Sequence, residues 1–272
     1  MSNYELDLNL LKAFLSTNKM SLLNLTKNEC RQFIETQFEQ KDRKTLSRYI
    51  STYRSFWNFL VKEALIAVNP WTLIKLPKQE KKLPEILSTQ EILSFLDNID
   101  TSTSLGLRNK AICETLYGLG LRVTELCNLK LSECDFNKQE CLIIGKGNYQ
   151  RVVYIGDVTL KILHHYVNNV RPIWHHDSSD TLFINQNGQR LSERSVQRII
   201  KQCALKQGLS KSITPHTLRH CFATDLYKGG ADIAVVKELL GHKNLSTTEI
   251  YTHVANEDLA QTLNDTHPRA QN

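Results

Sequence analysis

Residues whose side chains could act on a charged substrate are concentrated in the second half of the chain. Within residues 213–230, His216 and Arg219 stand three residues apart, so a helix would place both on one face. Thr214 is a suitable N-cap and Pro215 a suitable first helical residue, so the pair would lie near a helix N-terminus, where a cation and an imidazole suit an anion. Taken alone, a His-x-x-Arg pair more often consists of ordinary surface residues without a function.

Four further residues are capable of chemistry, although each has a simpler structural interpretation. Arg122 and Glu125 are spaced for an ion pair on one helix. His242 follows a glycine that is a typical helix stop. Tyr251 lies in the second turn of a helix that the capping box Ser246–Glu249 would begin. Singly, these patterns indicate a structural ion pair, a solvated loop histidine and a packing tyrosine.

The order and spacing of these residues resemble the signature of tyrosine recombinases over residues 88–270. The ending, Tyr251-Thr-His-Val and later Thr266-His-Pro-Arg-Ala, is similar to the Xer branch, which resolves chromosome or plasmid dimers. Six separated matches in the right order are far more specific than any single motif. The matching positions are Arg122 in Gly-Leu-Arg-Val-Thr-Glu-Leu, Lys146 in Gly-Lys-Gly, His216 and Arg219 in His-Thr-Leu-Arg-His, His242 in Leu-Leu-Gly-His, and Tyr251.

The resemblance implies transesterification at a DNA phosphodiester, through a 3′-phosphotyrosyl intermediate and a Holliday junction. A tyrosine hydroxyl can form a reversible phosphate ester, and guanidinium groups can clamp the non-bridging phosphate oxygens. The leaving 5′-oxygen needs a proton donor, because an alkoxide is a poor leaving group. The implied roles are nucleophile for Tyr251, phosphate clamp for Arg122 and Arg219, proton transfer or phosphate contact for His216 and His242, general acid for Lys146, and support of the site for Glu125.

No cofactor is expected for this reaction. The phosphotyrosyl ester keeps the energy of the broken phosphodiester, and the sequence has neither a phosphate-binding loop nor the clustered carboxylates that hold magnesium. A metal hydrolase built on the histidine pairs 164–165 and 175–176 is a distant alternative, because neither pair has the i, i+4 spacing of common helical ligand sets.

The elements around these motifs predict a mainly α protein. Residues 1–78 form a small helical core-binding domain for DNA, the Pro- and Lys-containing residues 79–87 a linker, and residues 88–272 a larger, mainly helical catalytic domain with a minor antiparallel β-sheet. In the first domain, Thr45–Val61 has a helical apolar stripe. Arg48 and Arg54 lie on its polar face, which is either solvated or laid against DNA.

Local signals place the elements of the larger domain. A capping box at Ser88 begins a helix that reaches about Leu96, and the pattern is helical again from Ser192. Between them the sequence predicts helices over Arg108–Tyr117 and Val123–Leu131, and strands over Cys141–Gly145, Gln150–Ile155 and Thr181–Ile184.

Composition is that of an ordinary soluble globular protein. The 272 residues carry a net charge of +6, of which residues 1–87 contribute 14 Lys and Arg against 9 Asp and Glu. This bias is compatible with a polyanionic partner. Seven cysteines without a C-x-x-C pair indicate packing residues in a reducing compartment. No apolar run could span a membrane and the start does not resemble a secretory signal, so we expect a cytoplasmic enzyme.

The resemblance also implies partners: a double-stranded recombination site and a homo- or heterotetramer on it, with a second recombinase and an activating ATPase as further candidates. The segment carrying Leu259 and Leu263 docks into a neighbouring subunit in the family. Alternatives within the same chemistry are the integrase or excisionase of a mobile element and, disfavoured by the Xer-like ending, a type IB topoisomerase. A non-catalytic DNA-binding protein is disfavoured because all six positions are intact.

Overall fold

The computed structural model describes residues 3–75, 87–145, 147–174, 180–209, 211–241 and 256–270. The chain divides into two compact units, Met1–Leu83 and Pro84–Asn272, each with a hydrophobic core of its own. The division falls within the predicted linker. The last residue of that linker, Leu87, is buried in the core of the second unit, so at least this position has a packing role.

The first unit is helical, with α1 at Asn3–Thr17, α2 at Lys27–Phe38 and α3 at Arg43–Lys62. The helix predicted over Thr45–Val61 is therefore confirmed, and it begins slightly earlier because Asp42 caps it through a hydrogen bond from Thr45 N (2.6 Å). The core is a set of edge-on and tilted aromatic rings, which give directional packing to a small domain. Its largest members are Phe33, Tyr53, Trp57 and Trp71.

The second unit is also mainly helical, and the helices predicted from Ser88, over Arg108–Tyr117 and from Thr214 are confirmed, whereas the helix predicted from Ser246–Glu249 lies outside the described residues. Ser88 and Thr214 cap their helices as expected, and the helix over residues 123–128 ends earlier than predicted, at Asn128. The helices are α4 Thr89–Asp97, α5 Ser104–Gly118, α6 Val123–Asn128, α7 Asp157–Asn169, α8 Arg171–Trp174, α9 Glu193–Lys206, α10 Pro215–Lys228, α11 Ile233–Leu240 and α12 Asn256–Thr266.

A small antiparallel sheet interrupts these helices, in the order β1 (Cys134–Asp135), β2 (Glu140–Ile144) and β3 (Gln150–Tyr154). Two of the three predicted strands are thus confirmed. The register pairs Cys141 with Val153 and Ile143 with Arg151. One face of β3 therefore carries Arg151 and Val153, and both are buried. A charged side chain thus points inward from β3.

The strand predicted over Thr181–Ile184 is wrong. The segment makes only isolated bridges, at Thr181 and at Ile184, and no continuous ladder. Side chains occupy backbone carbonyls that a ladder would use: Arg171 Nη2 donates to Thr181 O (2.9 Å), and Tyr166 Oη donates to Leu182 O (3.2 Å). Buried backbone groups need partners, and here helices α7 and α8 supply them.

The C-terminal residues complete the core of the second unit. Leu259 and Leu263 of α12 are buried in it, and α12 packs against α10. In the single chain, the segment expected to dock into a neighbouring subunit thus packs within its own unit. Beyond α12, Arg269 Nη2 lies 3.2 Å from the buried Glu114. Arg269 is therefore part of the fold of this unit.

The cysteines are packing residues, as predicted. All seven are free thiols and six are buried; Cys134 is partly exposed and lies 3.0 Å from the sulfur of Cys141 on the neighbouring strand. No helix within the described ranges is long and apolar enough to cross a membrane.

Candidate active site

The start of α10 presents His216 and Arg219 as the sequence indicated. Thr214 Oγ1 accepts a hydrogen bond from Thr217 N (3.1 Å), and Pro215 occupies the first helical position. His216 is exposed in the first turn, whereas Arg219, one turn later, is buried. The helix thus presents the imidazole of His216 at the surface and the guanidinium of Arg219 in the interior.

Arg219 is fixed by backbone carbonyls rather than by a dedicated carboxylate. Its Nη1 donates to Gly120 O at 2.6 Å, and its Nη2 donates to Leu240 O at 2.6 Å. Gly120 has a φ of 60°, and a Cβ there would lie 2.3 Å from the ring of Phe222. Only glycine satisfies both conditions, so the Gly-Leu-Gly-Leu-Arg segment owes this glycine to the turn that presents its carbonyl.

Arg122 stands at the N-terminus of α6 and is held by the carboxylate of Glu125. The backbone N–H of Arg122 donates to Glu125 Oε2 (2.8 Å), and its Nη1 donates to Oε1 (2.8 Å). The side chain of Arg122 is 40% exposed, whereas that of Glu125 is 3% exposed. The predicted ion pair is therefore present. In this pair the buried carboxylate of Glu125 orients the partly exposed guanidinium of Arg122.

Glu125 is shared among three arginines. Arg151 of β3 binds both carboxylate oxygens, Nη1 to Oε1 at 3.0 Å and Nη2 to Oε2 at 2.9 Å, while Arg219 Nη1 stays 3.7 Å from Oε2. Burial raises the pKa of Glu125, but the hydrogen bonds and charge of Arg151, together with the bonds from Arg122, outweigh it and hold the pKa below its usual value. The carboxylate is therefore ionised at neutral pH.

The C-terminal end of α11 binds the same three arginines. Its last carbonyls have no partner within the helix and carry the negative end of the helix dipole, which suits cations. Gly241 closes the helix in the left-handed conformation (φ 65°). The three bonds run from Arg151 Nε to Leu239 O (2.9 Å), from Arg219 Nη2 to Leu240 O (2.6 Å) and from Arg122 Nη2 to Gly241 O (3.1 Å).

The cluster of Arg122, Arg151, Arg219 and Glu125, called here the arginine cluster, is positively charged. Three guanidiniums face one carboxylate, and two of them are almost completely buried. Burial, followed by repulsion from Arg122, lowers the pKa of Arg219 to about 10, so it stays charged at neutral pH. An open cavity of about 500 Å³ adjoins Arg122, Glu125 and Arg151. A surplus of fixed positive charge beside an open cavity is suited to an anion such as a phosphodiester.

Three of the predicted site residues, Lys146, His242 and Tyr251, lie outside the described residues. The residues on both sides of Lys146 and the residue before His242 are described. Gly145 N donates to Tyr149 O (2.7 Å) across the turn between β2 and β3, and a Cβ on Gly145 would lie 3.5 Å from Glu125 Oε1. The chain therefore enters residue 146 from a position beside the arginine cluster, and it enters residue 242 from the end of α11.

The two arginines proposed to contact DNA in the first unit both have protein partners. Arg48 pairs with the buried Asp7, and its side chain is 42% exposed. Arg54 Nε donates to Trp71 O (3.0 Å), and its Nη2 donates to Ile74 O. These bonds give Arg54 a structural role, and a contact of either residue with DNA stays a prediction. Across the described part of the chain, no group of three or more His, Cys, Asp or Glu could hold a metal ion.

Sequence reasoning missed Arg151. The signal was the predicted strand over Gln150–Ile155, in which Arg151 shares the inward face with Val153. An arginine that points into a core requires an anionic or carbonyl partner. Reading the strand by faces would have singled it out.

Comparison with known proteins agrees with this geometry. Residues 85–258 match the family described as "Phage integrase family". Residues 1–64 match the family described as "Phage integrase, N-terminal SAM-like domain". The tyrosine recombinase XerD of Staphylococcus epidermidis is 38% identical over 278 residues, covering 98% of this chain and 92% of the relative. The tyrosine recombinase XerC of Halalkalibacterium halodurans is 40% identical over 275 residues, covering 98% and 91%.

Among solved structures, the XerH site-specific recombinase in a post-cleavage complex with a palindromic difH substrate superposes with a TM-score of 0.74. It is 26% identical and covers 96% of this chain and 78% of its own. Family, curated relatives and fold thus agree over almost the whole chain. The chain belongs to the phage integrase family and is a tyrosine recombinase.

Proposed function

We propose that the protein is a site-specific recombinase that cuts and rejoins duplex DNA through a covalent bond between Tyr251 and the 3′-phosphate. The observation that carries the proposal is the arginine cluster, in which Glu125 holds Arg122 and the C-terminal end of α11 holds both Arg122 and Arg219. That arrangement provides fixed positive charge for a phosphodiester, and the family assignment supplies the reaction class.

Arg122 and Arg219 bind the non-bridging oxygens of the scissile phosphate, where negative charge accumulates in the transition state. Because their protein partners fix both guanidiniums in advance, little reorganisation is needed during the reaction. By analogy with oxyanion donors, each contributes a factor of about 10² to 10³ in rate. Glu125 supports both arginines and has no direct part in the chemistry.

In the reaction one phosphorus–oxygen bond forms and another breaks. The Tyr251 oxygen attacks phosphorus and gives up its proton to His216 or to solvent, since a phenol of pKa about 10 is only slightly ionised at neutral pH. The bond from phosphorus to the 5′-oxygen breaks, and Lys146 donates a proton to that oxygen. His242 donates a hydrogen bond to the phosphate. The ester keeps the energy of the phosphodiester, so rejoining by a 5′-hydroxyl requires neither nucleotide nor metal.

The biological setting completes the proposal. Residues 1–78 form a core-binding domain and residues 88–272 the catalytic domain, joined by the linker 79–87. The enzyme acts in the cytoplasm as a homo- or heterotetramer on a recombination site, through a Holliday junction. Because the relatives described above are Xer recombinases, and the chain's ending resembles that branch, we assign it to dimer resolution. A second recombinase and an activating ATPase are candidate partners.

The deciding experiment traps the covalent intermediate on a nicked duplex that carries the binding site mapped on the host genome. Tyr251→Phe loses only the hydroxyl, so we expect it to bind this duplex with unchanged affinity and to form no covalent complex. With the wild-type protein, protease digestion and peptide mapping should locate the DNA label on Tyr251. A label on any other residue contradicts the assignment.

A further inference from the structure

Arg151 has more fixed contacts than either arginine of the proposed phosphate clamp, yet the proposed chemistry assigns it no part. Its side chain is 5% exposed, and each of its three guanidinium nitrogens has a protein acceptor. Two of these bonds go to Glu125 and the third to Leu239 O. Since the side chain is almost completely buried and each of its guanidinium nitrogens already binds the protein, we assign Arg151 no direct contact with a phosphate.

The contacts of Arg151 determine how strongly Glu125 attracts the other arginines. With Arg151 bound to both carboxylate oxygens, Arg219 Nη1 remains 3.7 Å from Glu125 and donates to Gly120 O instead. Without Arg151, a buried carboxylate would lose two charge-assisted hydrogen bonds, and the nearest cations able to replace them are Arg122 and Arg219. Their donors would then turn toward the protein, and the arginine cluster would lose one positive charge.

Arg151 also ties together the segments that carry the undescribed site residues. It lies in β3, directly after the turn that contains residue 146, and its Nε holds Leu239 O, three residues before His242. A Cβ on Gly241 would lie 3.1 Å from Arg151 Nη1, so the helix end packs closely on this guanidinium. One side chain thus links the β2–β3 hairpin, the shared carboxylate and the end of α11.

We propose that Arg151 is a positioning residue for strand cleavage: by bonding both oxygens of Glu125 it limits how strongly that carboxylate draws Arg122 and Arg219 away from the phosphate. The inference rests on the proposed function. It predicts that the effect of Arg151 passes through Glu125. Removing Arg151 should therefore matter when Glu125 is charged and matter little when Glu125 is neutral.

The experiment measures single-turnover cleavage of the nicked duplex by Arg151→Gln, Glu125→Gln and the double variant, together with duplex affinity and urea unfolding. We expect Arg151→Gln to slow cleavage by about 100-fold, the effect of displacing a catalytic group by about 1 Å, while affinity changes less than about threefold. The double variant should cleave at the rate of Glu125→Gln, within about twofold, because no charged carboxylate remains to recruit the clamp.

A second substrate distinguishes positioning from general destabilisation. Replacing one non-bridging oxygen of the scissile phosphate by a methyl group removes the charge that the arginine cluster must stabilise. The defect of Arg151→Gln should then shrink at least tenfold. Arg151→Lys, which keeps the charge but cannot bind both oxygens, should lie between wild type and Arg151→Gln on the ordinary substrate. It also provides a test if Arg151→Gln does not fold.

The matched control is Arg171→Gln, because Arg171 is equally buried in the same unit and donates to the carbonyls of Thr181 and Leu182. It should lower stability without slowing cleavage by the folded protein. The inference is overturned if the double variant loses a further 100-fold relative to Glu125→Gln, or if Arg151→Gln cleaves at the wild-type rate. Absence of cleavage by the wild-type protein would instead overturn the proposed function.

Discussion

At the scale of single residues, the site is organised by the imbalance between cations and anions. Glu125 is the common partner of Arg122, Arg151 and Arg219, and backbone carbonyls provide the remaining acceptors. Carbonyls orient a guanidinium without cancelling its charge. Hence the arginine cluster can be rigid and still strongly positive, which a second carboxylate would have prevented.

The proposed role of Lys146 can be tested through its leaving group. If Lys146 donates a proton to the departing 5′-oxygen, Lys146→Ala should cleave an ordinary site very slowly. A 5′-bridging sulfur leaves as a thiolate whose conjugate acid has a pKa of about 8.5, so no proton donor is needed. Lys146→Ala should then cleave the phosphorothiolate site at nearly the wild-type rate.

The control for this experiment is Arg122→Ala, whose defect lies in the charge on the non-bridging oxygens. Sulfur in the bridging position leaves that charge unchanged, so Arg122→Ala should be slow on both substrates. Equal defects of Lys146→Ala on the two substrates would reduce Lys146 to a phosphate contact.

A second prediction at this scale concerns His267. It is 4% exposed between the rings of Tyr117 and Phe222, and its Nε2 has no hydrogen-bond partner among the described residues. Burial, with a smaller effect of Arg269, lowers its pKa to about 3. The unfolded chain binds this proton from about pH 6.5 downward. His267 thus contributes stability above pH 6.5 that is lost as the pH falls toward 3.

Between pH 7 and pH 5 this loss amounts to about 2 kcal/mol. Urea unfolding of wild type and His267→Gln should therefore differ in pH dependence by that amount, with the variant losing less stability on acidification. Burial raises the pKa of Glu114 to about 7, although Arg269 opposes it, which gives the reverse pH trend. Since the wild-type protein and the His267→Gln variant both keep Glu114, its effect on stability cancels in the comparison. Identical pH profiles would show that His267 is not buried in the neutral form.

At the scale of elements, capping and periodicity position the site. Helix α9 has a further property that the motifs did not reveal. Arg194, Arg198 and Lys201 recur at i, i+4 and i+7, and all three are exposed on one face. The opposite face, with Val196 and Ile200, is buried. A continuous cationic face on a well-anchored helix is suited to a phosphate backbone.

If the proposed duplex lies along α9, Arg194→Gln/Arg198→Gln should weaken binding. The slope of log K against log salt should become shallower by about 2, since two phosphate contacts release fewer counterions. Lys161→Gln, an exposed cation on α7, serves as the control and should leave the slope unchanged. Equal slopes for the wild-type and double-variant proteins would remove α9 from the interface.

At the scale of the whole molecule, the chain end stabilises the second unit. Gly156 lies so close to the C-terminal residues that a Cβ there would be 2.5 Å from Arg269 O, and Arg269 Nη2 reaches both Asp97 and Glu114. Helices α4, α5 and α7 are therefore connected through the last residues. Leu263 of α12 is 2% exposed and lies in the hydrophobic core of this unit.

Leu263→Ala should lower the free energy of unfolding by about 3 kcal/mol, because it leaves a cavity in a well-packed core. Leu205→Ala is the control, since Leu205 is 62% exposed in the same unit and should have little effect. Urea unfolding at several protein concentrations checks both. A loss for Leu263→Ala that appears only at high protein concentration would mean that α12 packs against a second copy.

Local signals in the sequence predicted much of this protein. The capping box at Ser88, the N-cap at Thr214, the stop at Gly241 and the alternation in β2 and β3 act over a few residues, so the sequence alone determines them. The same holds for the order of the six motif positions, which is a property of the linear chain. Fold class and the family resemblance therefore follow from residue types and their spacing.

The arrangement of the arginine cluster does not follow from residue types and their spacing. Arg122 and Gly241 are 119 residues apart in the sequence, and Arg151 and Leu239 are 88 apart. The absence of the predicted strand at Thr181–Ile184 and the packing of α12 in its own unit also depend on distant contacts. In each case, which partner a group finds depends on how helices and strands pack, and many distant partners are compatible with the same local pattern. Tertiary structure decides such contacts because buried charges and backbone groups take the acceptors that packing brings within reach.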